Sequence, residues 1–121
     1  MNKIRYIVND VDKAVEFYTS NLDFRLEQQF GPAIAILERD GLQLLVSGPK
    51  ASASRPMPDG SKPSPGGWSR FLITVDDIES VVSRLKQNGV QFRNDIIEGP
   101  GGKQILCLDP SGNLVELFQP A

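Results

Sequence analysis

Few residues in this chain could do chemistry, because its 121 residues include no histidine. That removes the commonest general base, the commonest metal ligand and any serine–histidine or cysteine–histidine pair. One carboxylate then stands out, since Glu116 interrupts an otherwise apolar predicted strand over residues 113–118. A buried carboxylate needs a cation, a metal ion or water as its partner. The partner of Glu116 is therefore the first question that bears on function.

The other candidate groups have simpler structural explanations. Cys107 lies in an apolar run, which is typical of a packed thiol rather than a nucleophile. Asp76 and Asp77 fit the start of a helix better than a catalytic pair of carboxylates. The glycine-rich run 99–102 leads into a predicted strand, so a phosphate cradle is not indicated. These groups add no catalytic residue to the prediction.

Composition is that of an ordinary globular domain. The apolar fraction is 40%, the charged fraction is 23% and the net charge is −2. Because no block of like charges occurs, we expect no binding to nucleic acid or to a membrane surface. A single cysteine, no signal-peptide pattern and no apolar run of membrane-spanning length predict a cytoplasmic protein.

The elements that must position these residues come from an internal repeat. Residues 7–18 and 74–85 align at a constant offset of 67 (75 minus 8, 85 minus 18). The matched pairs are Val8 with Val75, Asp10 with Asp77, and Tyr18 with Leu85. In each copy a short strand ends at an aspartate suited to cap a helix, and apolar residues then recur with helical spacing. Gly89 follows the second helix, where glycine favours helix termination.

Each copy continues into alternating apolar runs that predict three further strands. These runs span 24–30, 33–39 and 42–47 in the first half, and 91–98, 103–108 and 113–119 in the second. Asp40-Gly41 predicts a tight hairpin turn. The chain is therefore predicted to be an α+β domain of two tandem βαβββ modules, over 1–47 and 68–121. The Pro/Gly-rich segment 48–67 is either a mobile linker or a loop that covers a cavity mouth or reaches a partner subunit.

This order of motifs resembles the vicinal oxygen chelate superfamily, which includes glyoxalase I, extradiol dioxygenases and bleomycin resistance proteins. The resemblance is carried by Val8-Asn-Asp-Val with Phe17-Tyr18, by Val75-Asp-Asp-Ile, and by the run Asp109-Pro-Ser-Gly-Asn-Leu-Val-Glu-Leu-Phe118. It implies two βαβββ modules that form an open, curved sheet around a cavity. It also implies a homodimer that binds a small organic molecule.

Metal-binding members of that superfamily carry a histidine on the first strand and a glutamate on the last strand of each module. The resemblance places these positions at Lys3, at Gln43 or Leu45, at Arg70 and at Glu116. Of these residues only Glu116 is a usual metal ligand, and the cations Lys3 and Arg70 would repel a divalent ion. We therefore expect no metal and no cofactor, and we predict that Arg70 pairs with Glu116 as a guanidinium fork facing a carboxylate.

Strand alternation and the resemblance together predict the lining of the cavity. The predicted ligand-binding residues are Lys3, Arg5, Gln43, Trp68, Arg70, Leu72, Gln104, Glu116 and Phe118. Their mixture of cations, amides and apolar walls suits an organic ligand with a carboxylate, phenolate or carbonyl group. For Trp68, burial at a module or dimer interface is as compatible with the sequence as stacking on a ligand.

Three functions are compatible with this reading. The first is a metal-independent protein that sequesters a planar or amphiphilic compound such as an antibiotic. The second is a metal-free lyase or isomerase, in which Arg70, Lys3 or Arg5 stabilises an oxyanion and Glu116 acts as base. The third is a non-catalytic interaction module with a filled, vestigial cavity. We expect the first of these, and we expect no enzymatic activity.

Overall fold

Two units with closely similar element order make up the chain, in a computed structural model that describes residues 1–121. The units span Met1–Pro65 and Gly66–Ala121. The first contains β1 (Ile4–Ile7), α1 (Val11–Asn21), β2 (Arg25–Phe30), β3 (Ile34–Arg39) and β4 (Leu42–Ser47). The second contains β5 (Arg70–Thr74), α2 (Ile78–Gln87), β6 (Gln91–Phe92), β7 (Ile97–Gly99), β8 (Gly102–Leu108) and β9 (Leu114–Pro120). The predicted α+β class is confirmed.

Both helices begin where the sequence predicted. Asp10 caps α1 by accepting a hydrogen bond from the Lys13 amide at 3.0 Å, and Asp77 caps α2 by accepting one from the Ser80 amide at 3.2 Å. Gly89 follows α2 with a φ of 82°, a conformation that glycine adopts without strain. The apolar faces of the helices are buried, as the spacing of their residues requires.

The sheet of the first unit has the order β1-β4-β3-β2, with β1 parallel to β4 and the other neighbours antiparallel. Helix α1 packs on it, so its core contains Tyr18, Leu37, Leu44 and Val46, all with no exposed surface. Asp40 and Gly41 both have positive φ, at 49° and 84°, as the predicted hairpin turn requires.

The sheet of the second unit has the order β5-β9-β8-β6, and β7 pairs with β8 beyond the end of β6. The prediction of one continuous strand over 91–98 was wrong, because the strand is interrupted at residues 93–96. Phe92 lies opposite Cys107 and Ile97 lies opposite Gln104. Four residues, 93–96, therefore lie opposite only Ile105 and Leu106, which requires a bulge.

The turn before β9 is held by one buried carboxylate. Asp109 accepts hydrogen bonds through Oδ1 from the amides of Ser111 and Asn113, both at 2.9 Å. Its Oδ2 accepts from the side-chain amide of Asn113 at 3.0 Å. The polar residues of this turn therefore shape the backbone and position the start of β9.

The segment between the two predicted modules is irregular apart from a short turn of 3-10 helix at Ser52–Ser54. A second turn is closed by hydrogen bonds between Met57 and Ser61 and between Gly60 and Met57. No helix of the chain has the length and apolar character needed to cross a membrane.

Candidate functional site

The partner of Glu116 is Arg70. Their strands β5 and β9 are parallel neighbours, in a register that places Arg70 opposite Leu114 and Leu72 opposite Glu116. Arg70 Nε donates to Glu116 Oε1 at 3.0 Å, which confirms the predicted pair. The contact is not the predicted two-pronged fork, because Nη1 of Arg70 donates at 3.4 Å to the carbonyl oxygen of Trp68 instead. Glu116 is only 8% exposed, so Arg70 supplies the charge that its burial requires.

The register of the first unit resolves which residue corresponds to Glu116. Arg5, which the 67-residue repeat aligns with Leu72, lies opposite Leu45. Since Leu72 lies opposite Glu116, the equivalent position is Leu45 and not Gln43. The first unit therefore has an apolar side chain where the resemblance places a metal ligand.

These residues do not fit a metal centre of the type found in the metal-binding members. Lys3 and Arg70 are cationic, Leu45 has no donor atom, and Glu116 is engaged by a guanidinium. Across residues 1–121, no three histidine, cysteine or carboxylate side chains cluster in a way that could hold a metal ion. A site of that type needs several neutral or anionic donors.

A cavity of about 380 Å³ lies in the second unit beside the Arg70–Glu116 pair. Its lining residues are Trp68, Arg70, Arg93, Asn94, Ile97, Gln104, Ile105, Leu106 and Glu116. The volume lies toward the lower end of the range for small-molecule sites, which is about 300–1,000 Å³. The cavity can therefore accommodate one compact organic molecule, with apolar walls and a few polar groups.

Trp68 and Arg93 form one side of this cavity. The guanidinium of Arg93 stacks on the Trp68 ring, with its carbon 4.1 Å from the ring centroid. Trp68 is nevertheless 63% exposed. Its large exposed ring at a cavity is the arrangement expected of a stacking surface.

The bulge at residues 93–96 contributes Arg93 and Asn94 to the lining of the cavity. Asn94 Oδ1 accepts a hydrogen bond from the Leu106 amide at 3.1 Å, and the Arg93 amide donates to the Leu106 carbonyl at 2.9 Å. A side chain thus replaces the missing backbone acceptor, and both backbone groups of Leu106 stay paired. This substitution lets the strand leave the sheet and directs Arg93 and Asn94 toward the cavity.

Four of the nine predicted ligand-binding residues line this cavity: Trp68, Arg70, Gln104 and Glu116. Leu72 and Phe118 lie on β5 and β9 but outside the lining. Leu72 is 46% exposed opposite Glu116, and Phe118 lies opposite both Thr74 and Gln104.

The remaining three predicted residues belong to the first unit. Lys3 precedes β1, and its Nζ donates to the carbonyl oxygen of Met1 at 3.2 Å. Arg5 is exposed on β1. Gln43 Nε2 donates to Glu27 Oε1 at 2.8 Å, so that amide nitrogen is already engaged. For all three, ligand binding stays a prediction.

Sequence reasoning missed five lining residues, which are Arg93, Asn94, Ile97, Ile105 and Leu106. The alternation of a continuous strand over 91–98 gave no reason to turn Arg93 and Asn94 toward the cavity. A signal was present in the sequence, since Arg93-Asn94-Asp95 is a polar interruption typical of a bulge or loop.

Comparisons with known proteins support this description. The sequence matches the family model described as the Glyoxalase/Bleomycin resistance protein/Dioxygenase superfamily over residues 1–117. The protein described as Virulence protein STM3117 of Salmonella typhimurium (strain LT2) is 26% identical over 120 residues, covering 93% of this chain and 78% of that protein.

Solved structures also share the fold. Lactoylglutathione lyase from Agrobacterium tumefaciens aligns with a TM-score of 0.76 at 19% identity, over 98% of this chain and 92% of that chain. TnmS3, described as an antibiotic binding protein from Streptomyces sp. CB03234, aligns with a TM-score of 0.70 at 25% identity, over 100% of this chain and 97% of that chain.

Proposed function

The chain belongs to the glyoxalase/bleomycin resistance protein/dioxygenase superfamily, and we propose that it is a metal-independent protein that binds a small organic molecule in the cavity of its second unit. The observation that carries this proposal is the exposed Trp68 ring beside a cavity of about 380 Å³. A large aromatic side chain left this exposed gains contact area when a planar compound covers it.

The lining suits a ligand that is apolar over most of its surface. Trp68, Ile97 and Leu106 supply apolar area, while Gln104 supplies an amide group for orientation. Small-molecule sites typically combine such walls with a few well-placed polar groups. A filled concave face would have favoured an interaction module instead, and an open cavity favours ligand binding.

The ion pair of Glu116 supports metal independence. The one acidic side chain in the cavity lining accepts a hydrogen bond from Arg70 at 3.0 Å, and no second metal ligand accompanies it. Elemental analysis of the purified protein is expected to give far less than one zinc, iron, nickel or manganese per chain. A stoichiometric metal that is lost in Glu116→Gln would contradict this part of the proposal.

Sequestration of a compound is better supported than its conversion. For Glu116 to act as a base, it would have to give up or share the hydrogen bond from Arg70 while accepting a proton. The likeness to an antibiotic binding protein, at 25% identity over the whole chain, supports a planar or amphiphilic compound such as an antibiotic as the ligand class.

Intrinsic fluorescence tests the proposal directly, because Trp68 is the chain's single tryptophan. Titration with a panel of planar aromatic compounds, antibiotics among them, is expected to change Trp68 emission in a saturable way. Native mass spectrometry on the same samples should show one compound per chain, without loss of mass from the compound.

A matched pair of variants locates the binding. Trp68→Leu should weaken binding in the mass spectrum, whereas Phe30→Leu should not, since Phe30 is an exposed aromatic residue of the first unit that does not line this cavity. If no compound in the panel binds, or if both variants bind as the wild type does, the proposed site is wrong.

A further inference from the structure

The charges that line the cavity do not cancel. Two arginines and one carboxylate are present: Arg70, Arg93 and Glu116. Arg70 is neutralised by Glu116 at 3.0 Å. Arg93 forms no ion pair, since no carboxylate oxygen lies within 4.0 Å of its guanidinium. The cavity therefore carries one net positive charge, and that charge is on Arg93.

The stacking of Arg93 leaves its hydrogen-bond donors available. The central carbon of the guanidinium lies over the Trp68 ring, 4.1 Å from the ring centroid. A cation–π contact arises from the charge above the ring, so it does not use the five N–H groups as hydrogen-bond donors. The backbone of Arg93 is meanwhile fixed by its 2.9 Å hydrogen bond to Leu106. An unpaired donor set is thus held in place beside an aromatic surface.

From this arrangement we propose that the cavity selects planar aromatic monoanions, with Arg93 binding the acidic group and Trp68 contacting the ring system. The inference rests on the proposed function and names the ligand class of the same site. A carboxylate, sulfonate or phenolate on an aromatic framework has the required chemistry, because charged acceptors make the strongest hydrogen bonds to a guanidinium.

The rest of the lining favours a single negative charge rather than two. Arg70 is occupied by Glu116, whose carboxylate would repel a second anionic group in that part of the cavity. The remaining polar residues, Asn94 and Gln104, are uncharged amides. Only Arg93 is therefore placed to compensate an anion.

Two fluorescent probes that differ in one group test the charge preference. Anilinonaphthalene sulfonate is an aromatic anion with a planar naphthalene ring, and phenylnaphthylamine is the same framework without the sulfonate. Both gain emission in apolar sites, and energy transfer from Trp68 to the bound probe reports that the probe lies close to this residue. We expect the anion to bind about five- to tenfold more tightly than the uncharged probe, the range typical of a partly exposed charge-assisted contact.

Variants assign this preference to one side chain. Arg93→Gln should weaken binding of the anion about five- to tenfold and change binding of the uncharged probe by less than about twofold. Arg84→Gln is the matched control, because it removes the same charge from an exposed residue of α2 outside the cavity lining. Raising the salt concentration from about 0.02 to about 0.5 M should weaken binding of the anionic probe more than binding of the uncharged probe.

The outcomes separate the two proposals. If both probes bind near Trp68 with equal affinity, and Arg93→Gln changes neither, the cavity binds small molecules but Arg93 does not select anions, and this inference is wrong. If Arg84→Gln reduces anion binding as much as Arg93→Gln does, the preference reflects net charge, and the inference is again wrong. If neither probe gives energy transfer from Trp68, both this inference and the proposed binding site are wrong.

Discussion

Replacing Arg70 with methionine removes the only ion-pair partner of Glu116 and keeps an unbranched side chain along the same wall. The side chain of Glu116 is 10% exposed, whereas that of Arg70 is 30% exposed and borders an open cavity. Arg70→Met therefore leaves the buried Glu116 carboxylate without a counter-ion. Glu116→Leu leaves the Arg70 guanidinium, which water can still reach. The two losses should consequently be unequal.

The magnitude follows from these exposures. Removing one partner of a fully buried pair typically costs about 3–5 kcal/mol of unfolding free energy. Here water entering through the cavity can solvate part of the freed carboxylate, so we expect a loss of about 2 kcal/mol in Arg70→Met. For Glu116→Leu we expect a loss of about 1 kcal/mol, because the guanidinium rehydrates at the cavity surface.

The double variant Arg70→Met with Glu116→Leu should be more stable than Arg70→Met alone, because neither charge is then left without a partner. The coupling energy from the complete cycle is expected to be about 1–2 kcal/mol. A coupling energy near zero would mean that the contact between the two side chains does not contribute to the unfolding free energy.

Urea unfolding followed by circular dichroism, at one fixed protein concentration, measures these differences. With a slope typical of a small protein, Arg70→Met should lower the urea midpoint by about 1 M. If Arg70→Met unfolds at the wild-type midpoint, Glu116 is satisfied by something other than Arg70. The assignment of Glu116 as the group that neutralises Arg70 in the cavity would then be incorrect.

Three further predictions concern the core, the turn before β9 and the assembly. Burial raises the pKa of the Cys107 thiol to about 12, so Ellman's reagent should not modify it at pH 8 in the native protein but should modify it fully after denaturation. The stability contributed by the neutral thiol should be complete below its ordinary pKa near 9 and should be lost as the pH rises toward about 12. Asp109→Ala should lower the unfolding free energy by about 2–4 kcal/mol, measured by urea unfolding, because it leaves the amides of Ser111 and Asn113 without their acceptor. Sedimentation at micromolar concentration should give a homodimer, as is typical of open sheets that pair with a second copy, and a monomer would contradict this expectation.

Much of the fold could be predicted because it depends on local chemistry. The aspartate caps, the helical spacing of apolar residues and the Asp40-Gly41 turn each act over a few residues. The 67-residue repeat then allowed the order of one unit to be used for the other. The contact of Arg70 with Glu116 was predictable too, because the resemblance makes the first and last strands of a unit neighbours, and alternation puts both side chains on one face.

The tertiary structure alone decided the register and the break in the sheet. Leu45 and Gln43 both fit an alternating strand, and only the backbone pairing of Arg5 with Leu45 distinguishes them. Likewise, the polar run after Phe92 is compatible with a strand edge or with a bulge. Asn94 Oδ1 replaces a backbone acceptor for the Leu106 amide, and this contact depends on residues 12 positions apart in the chain. Such a contact has no local sequence signature, because its partner becomes known only once β8 is in place. Arg93, the residue before Asn94, contacts the Trp68 ring.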